Sequence, residues 1–152
     1  MTSAMPEFEG FIYYLNSTLT SYFVAWGYEE LPEKHSGGDV DICIHPHHYG
    51  YVADELRHRG YSSTKCPNYD NEHHHEHFTR SGCYTLDLFD SFCFAYNGRT
   101  VVLKLDPFYL FKGFRRKGKI SIASPTVELL FTSLRIIGGR KDYIKKLEKY
   151  LE

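Results

Sequence analysis

No apolar run in the 152 residues approaches the roughly 20 that a membrane span needs. The opening MTSAMPEFEG has neither a basic flank nor an apolar stretch, so no secretory leader is expected. Cationic excess is missing as well. Lys plus Arg (18) nearly balance Asp plus Glu (19), which argues against a general nucleic-acid binder. Cysteine is sparse, and Cys43, Cys66, Cys83 and Cys93 contain no C-x-x-C pair. All four are expected as free thiols of a reducing cytoplasm. Repeats, low-complexity tracts and an interdomain linker are absent, as is the composition of disordered chains. Hydrophobic residues make up 42% and aromatics 16%, so the chain can build one core of its own, with no room for two large ones.

What is present alternates between helical and extended patterning. Phe8, Phe11, Ile12, Leu15 and Leu19 form a helical stripe. The segment SYFVAW (21–26) reads as a strand and LPEKHSGG (31–38) as a loop. A strand is expected at DVDICIH (39–45), and a helix opens at Pro46 with Tyr49, Val52, Ala53 and Leu56 inside. A possible strand over 60–66 and a polar loop over 66–74 follow. HHEHFTR (74–80) and CYTLDLFD (83–90) read as a hairpin or two neighbouring strands. Asn97-Gly98 joins SFCFAY to RTVVLKL as a hairpin with a type I′ turn. Residues 106–119 read as a short helix and a basic loop, with Asp106 as the helix cap. Ser124-Pro125 starts a helix that Gly138-Gly139 ends, and 140–151 form a last amphipathic helix. The order predicts an α+β (mixed α/β) fold: a mixed twisted sheet flanked by helices, with C-terminal helices. One domain over 1–152 is expected, its core about 8–122 and its C-terminal helices about 124–151.

Within GGDVDICI, Asp39 and Asp41 share one face of a strand, and Val40, Ile42 and Ile44 share the other. Two carboxylates so close repel when ionised, and a divalent cation such as Mg²⁺ or Mn²⁺ relieves the repulsion. Ser36, Gly37 and Gly38 stand directly before them, a turn able to bring backbone N–H groups to a phosphate. In YTLDLF, Asp87 faces away from Leu86 and Leu88. Three acids on adjacent strands are the usual equipment of two-metal phosphoryl transfer, two bridging the metals and the third serving the attacking hydroxyl.

This combination resembles the nucleotidyltransferase superfamily, whose members share a core with DNA polymerase β. WGYEELPEKHSGGDVDICI (26–44), YTLDLFD and ASPTVELLFTSLR (123–135) are similar to small bacterial nucleotidyltransferases associated with surface-polysaccharide genes. The resemblance covers roughly residues 8–140. It implies ATP or another NTP as substrate and an acceptor hydroxyl or phosphate on a small molecule, glycan precursor, RNA or protein. It implies metal held by Asp39, Asp41 and Asp87, with the β/γ-phosphates cradled at Ser36, Gly37 and Gly38. An oligomer or a partner subunit is compatible with it.

Other clusters are less decisive. His73, His75 and His77 alternate, so in a strand they share a face, either contacting substrate or forming a solvated edge; a zinc site is a third reading. His35 stands close enough to the glycines to face a phosphate, and His45, His47 and His48 read as surface. KGFRRKGK (112–119) is either a phosphate-binding or a solvated loop. Asp90 faces opposite Asp87 and reads as a turn or cap acid. A nucleotide-binding module without catalysis and a D-x-D glycosyltransferase are rival readings, and a toxin–antitoxin nucleotidyltransferase that modifies RNA or protein is a third. Only 38 residues precede the motif, which disfavours the second.

Overall fold

The structure, a computed structural model, describes residues 4–35, 38–66, 73–103 and 105–148. Helix α1 (Ala4–Ser17) buries Phe8, Phe11, Ile12 and Leu15, the stripe the sequence shows. Strands β1 (Tyr22–Val24) and β2 (Val40–Ile44) precede helix α2 (Pro46–His58). Strands β3 (Ser62–Lys65), β4 (His75–Thr79), β5 (Leu86–Phe89), β6 (Phe92–Tyr96) and β7 (Arg99–Leu103) follow. Helix α3 (Pro107–Phe111) is capped by Asp106, whose side chain accepts from the Phe108 N–H. Then come β8 (Arg115–Lys117), β9 (Ile120–Ile122), α4 (Pro125–Ile137), a 3₁₀ turn (Lys141–Tyr143) and α5 (Ile144–Glu148).

Seven strands form one mixed sheet in the order β3-β4-β5-β2-β1-β9-β8. β2 runs parallel to β5, β1 runs parallel to β9, and the other neighbours are antiparallel. The expected α+β architecture is therefore present. β6 and β7 make a separate hairpin, and Asn97 and Gly98 both take positive φ (48° and 72°), as a type I′ turn requires.

Two departures from the sequence reading matter for the site. The basic stretch before Lys119 is not a free loop, since Arg115–Lys117 pair with Ile120–Ile122 as an edge hairpin. The acid-bearing face of β2 is not simply the solvent face. Val40, Ile42 and Ile44 pack with α1 and α2 in one apolar layer. Cys43 points the other way with Asp41, and it is fully buried in a second layer with Phe23, Trp26, Phe89, Phe92, Val127 and Phe131. Both faces of the central strands are covered, and the acids lie on the face of the second layer, toward the starts of β2 and β5.

Helix α4 supplies much of that second layer. Ser124 accepts from the Val127 N–H and Pro125 opens the first turn, so a cap and a pre-set φ fix where the helix starts. Val127 and Phe131 then point at the sheet, and Phe131 stacks on Phe92 with ring centroids 4.3 Å apart.

Candidate active site

The register of the central strands places the acids. β2 and β5 pair in parallel with Val40 opposite Leu86, Asp41 opposite Asp87 and Cys43 opposite Phe89. Leu86 and Leu88 are committed to the α1/α2 layer, so Asp87 must lie on the other side, beside Asp41. Asp39 is one pleat earlier on the same face. All three carboxylates line one cavity of about 480 Å³, together with Gly38, His35, His75, Trp26, Arg135 and Arg140.

Histidines from β4 are threaded among the acids. His75 Nε2 is 2.8 Å from Asp87 Oδ1. His77 Nδ1 is 3.3 Å from Asp39 Oδ2 and 3.9 Å from Asp87 Oδ1. One imidazole thus spans two of the acids, which can be no further apart than those two distances laid end to end. The alternation of His75 and His77 does put both on one face, turned toward the carboxylates, while His73 lies ahead of the strand. Burial disfavours the His75 cation, but its hydrogen bonds to Asp87 and Cys93 outweigh that and raise its pKa to about 9. Burial first, then the charge of Asp87, lifts the Cys66 thiol to about 11.

The carboxylate oxygens of Asp39, Asp41 and Asp87 do not all lie within 4.8 Å of one another. Among the described residues, that spacing is met by Cys66, His75 and Asp87. Asp39 and Asp87 have side-chain exposures of 37% and 16%, so a ligand can reach both.

The cations of the cavity are not those the sequence suggested. Arg115 bonds Tyr28 and the buried Glu128, and Lys117 donates to the carbonyls of Glu29 and Leu31. Neither lines the cavity. Arg135 does: its Cζ sits 5.6 Å from the Trp26 ring and 5.2 Å from the Phe92 ring, and its buried Nε has no hydrogen-bond partner among the described residues. Arg140 lies over Tyr143 at 5.2 Å and makes two 3.0 Å bonds to Asp142. A signal for Arg135 exists in the sequence. It is four residues after Phe131 and eight after Val127, on the apolar stripe of α4, where a cation needs a reason.

His35 also reaches the cavity. Gly27 makes room for it, with φ +67° and a Cβ position 3.2 Å from the His35 ring, and the buried Nε2 of His35 has no hydrogen-bond partner among the described residues. A Cβ added at Gly38 meets no atom within 4 Å, so packing does not demand glycine there. Ser36 and Gly37 lie outside the described residues. Asp90 is a buried structural acid, as its opposite face suggested. It accepts from the His74 N–H at 2.8 Å and from its ring at 2.7 Å, holding the entry to β4. His48 is less free than the surface reading had it, because its Nδ1 accepts from the Ser21 N–H.

No protein-family model matches the chain, and no curated protein does. Among solved structures it is similar to the lincomycin-bound crystal structure of the lincosamide antibiotic adenylyltransferase LnuA. The TM-score is 0.53 and the identity 18%, over 86% of this chain and 87% of that one. At that identity the likeness concerns the fold, and it is the nucleotidyltransferase-like fold expected from the G-G-D-x-D strand. No described helix is long and apolar enough to cross a membrane.

Proposed function

We propose that the chain is a divalent-metal-dependent nucleotidyltransferase that moves an NMP group from an NTP to a hydroxyl of a small acceptor. The observation that carries this reading is the meeting of Asp39, Asp41 and Asp87 with Arg135, Arg140 and His35 around one cavity. Its volume, about 480 Å³, lies within the range of small-molecule sites. The donor set fits a hard cation, since three carboxylates from adjacent strands face one open space. Asp39, Asp41 and Asp87 would hold Mg²⁺ or Mn²⁺, which when bound neutralises phosphate charge and makes the acceptor hydroxyl more acidic.

The remaining chemistry falls to the chain's own residues. Arg135, fixed between two aromatic rings, presents its guanidinium to the triphosphate with little freedom left to lose. His35 and the backbone at Gly38 approach the β/γ-phosphates from the loop side. The acceptor oxygen bonds to the α-phosphorus, the α–β bridging P–O bond breaks and pyrophosphate leaves. The hydroxyl proton passes to Asp87. The named acceptor of the structural neighbour, a lincosamide antibiotic, is a small molecule, and that supports a small acceptor here.

A second reading, a nucleotide-binding module without catalysis, draws on the His75–Asp87 bond, which already engages the third acid. The test separates the two. The protein is incubated with each radiolabelled NTP, Mg²⁺ or Mn²⁺ and a panel of hydroxylated small molecules, and pyrophosphate release is followed. Transfer is expected for at least one NTP, and the Asp39→Asn/Asp41→Asn double variant should lose both release and calorimetric Mg²⁺–NTP binding. A double variant that binds metal and NTP as the wild type does would refute the site. Binding without release across the panel would favour the module.

A further inference from the structure

The triad Cys66, His75 and Asp87 has no part in the chemistry above except through Asp87, and its composition does not suit Mg²⁺. Its three ligand atoms lie within 4.8 Å of one another. They come from three neighbouring strands of the sheet. Cys66 follows β3, His75 opens β4 and Asp87 is the second residue of β5. The backbone holds the set in register, because the Cys66 N–H donates to the His75 carbonyl at 2.9 Å and His75 stands opposite Phe89. All three side chains are partly buried, enough to be ordered and open enough for an ion to enter. A second thiol, Cys93, adjoins His75.

An ion that binds here displaces the Cys66 and His75 protons to solvent, and the resulting thiolate, imidazole and carboxylate form a borderline-soft donor set. Mg²⁺ avoids sulfur and asks for an octahedron of oxygens. Zn²⁺ takes sulfur, nitrogen and oxygen together in a tetrahedron, and three protein ligands with a fourth open position is a common zinc arrangement. We propose that Cys66, His75 and Asp87 form a Zn²⁺ site that shares Asp87 with the hard-cation site. An ion there takes Asp87 away from the acceptor side of the cavity, so that zinc suppresses transfer supported by Mg²⁺. The suppression rests on the nucleotidyltransferase reading, whereas the site does not.

Co²⁺ is the probe, because a tetrahedral cobalt–thiolate centre shows visible d–d bands and a near-ultraviolet sulfur-to-metal band. The reduced, metal-free full chain is titrated with Co²⁺ and then with Zn²⁺. One equivalent of Co²⁺ should produce both features, and one equivalent of Zn²⁺ should erase them. Cys66→Ser should abolish the sulfur band and weaken Zn²⁺ binding at least tenfold, while Cys83→Ser, outside the triad, should keep both. Circular dichroism shows whether each variant is folded, and His75→Gln gives a second lesion of the site that leaves the thiol in place and should also weaken binding at least tenfold. A missing sulfur band in the wild type, or one that survives Cys66→Ser, overturns the site. In the activity arm, one equivalent of Zn²⁺ should cut Mg²⁺-supported pyrophosphate release at least tenfold in the wild type and leave Cys66→Ser unaffected. Equal inhibition of both overturns the sharing of Asp87. If no transfer is found with any NTP, the nucleotidyltransferase reading fails alone, and the cobalt spectrum still decides the site.

Discussion

Replacing Asp87 by Asn should weaken the metal-free protein, although it removes one of three like charges. The bond from His75 to Asp87 decides the sign. The His75 ring nitrogen is 2.8 Å from the Asp87 carboxylate. His77 lies beside the same acids, 3.3 Å from Asp39 and 3.9 Å from Asp87. Removing the Asp87 charge leaves the buried His75 cation without its 2.8 Å partner, and a buried charge deprived of its partner is destabilising. The pair is also well shielded, with side-chain exposures of 14% and 16%.

Linkage gives the size and the pH window. His75 titrates at about 9 in the folded chain against the ordinary 6.5. A histidine whose pKa is raised by folding contributes stability that is fully present below the unfolded pKa and is lost as pH rises through the folded one. The contribution is about 3 kcal/mol near pH 6, about 2 kcal/mol near pH 7.5 and close to zero by pH 10. Cys93 shares in raising His75, so the stability gap between wild type and Asp87→Asn, read by urea unfolding in EDTA at those three pH values, takes the Asp87 share of it and closes toward pH 10. A gap independent of pH, or a variant as stable as the wild type near pH 6, refutes the ion pair. Since a domain of this size is stable by ~5–15 kcal/mol, the variant remains folded near pH 7.5. Its expected loss of pyrophosphate release, with Mg²⁺–NTP binding retained, is then a chemical effect and not an unfolding one.

Three further substitutions probe separate parts of the site. Gly38→Val should shift the melting temperature little, since its Cβ enters open space, yet weaken NTP binding about tenfold or more by blocking phosphate from the backbone; calorimetry showing normal affinity would contradict that. Arg135→Met keeps the apolar stem between Trp26 and Phe92 but removes the charge, and kcat/KM should fall about 10–100-fold, an effect of ~1.4–3 kcal/mol. Unchanged steady-state kinetics would remove Arg135 from the triphosphate. Glu128→Gln breaks a buried pair with Arg115 and should destabilise the fold by about 1–3 kcal/mol in chemical denaturation while leaving kcat intact, because the β8 cations serve the fold.

The outline of the fold was legible because local chemistry set it. Ser124-Pro125 and Asp106-Pro107 each carry a cap and a first-turn proline, and both helices begin there. Asn97-Gly98 supplies two residues that tolerate positive φ, so the hairpin turns where expected. The strand edge of the sheet was less legible. Arg115–Lys117 shows no apolar alternation, and Ile120–Ile122 is only three residues long, too short for a period to register. Their pairing is tertiary: Ile122 aligns in parallel with Val24, almost a hundred positions away in the chain.

The same distinction runs through the site. Asp39, Asp41 and Asp87 are readable singly, because each interrupts an apolar strand, and alternation fixes which way each side chain points. Their meeting is not readable, since it depends on the β2–β5 register, and a one-residue slip would turn Asp87 toward the α1/α2 layer. Here the apolar residues set that register. Val40 and Ile42 opposite Leu86 and Leu88 bury all four side chains in one layer, and the slip would expose half of them to the polar cleft. The hydrophobic pairing thereby places Asp41 beside Asp87 at a cost neither acid could meet alone. Cys66 and His75 follow from a further register, that of β3 on β4, where exposed Ser62–Lys65 leaves no apolar pattern to read. A mixed Cys-His-Asp constellation was therefore invisible in the sequence although every member of it is a metal-ligand type: what assembles it is the order of three strands, and only the inner, acid-bearing β5 announces its direction.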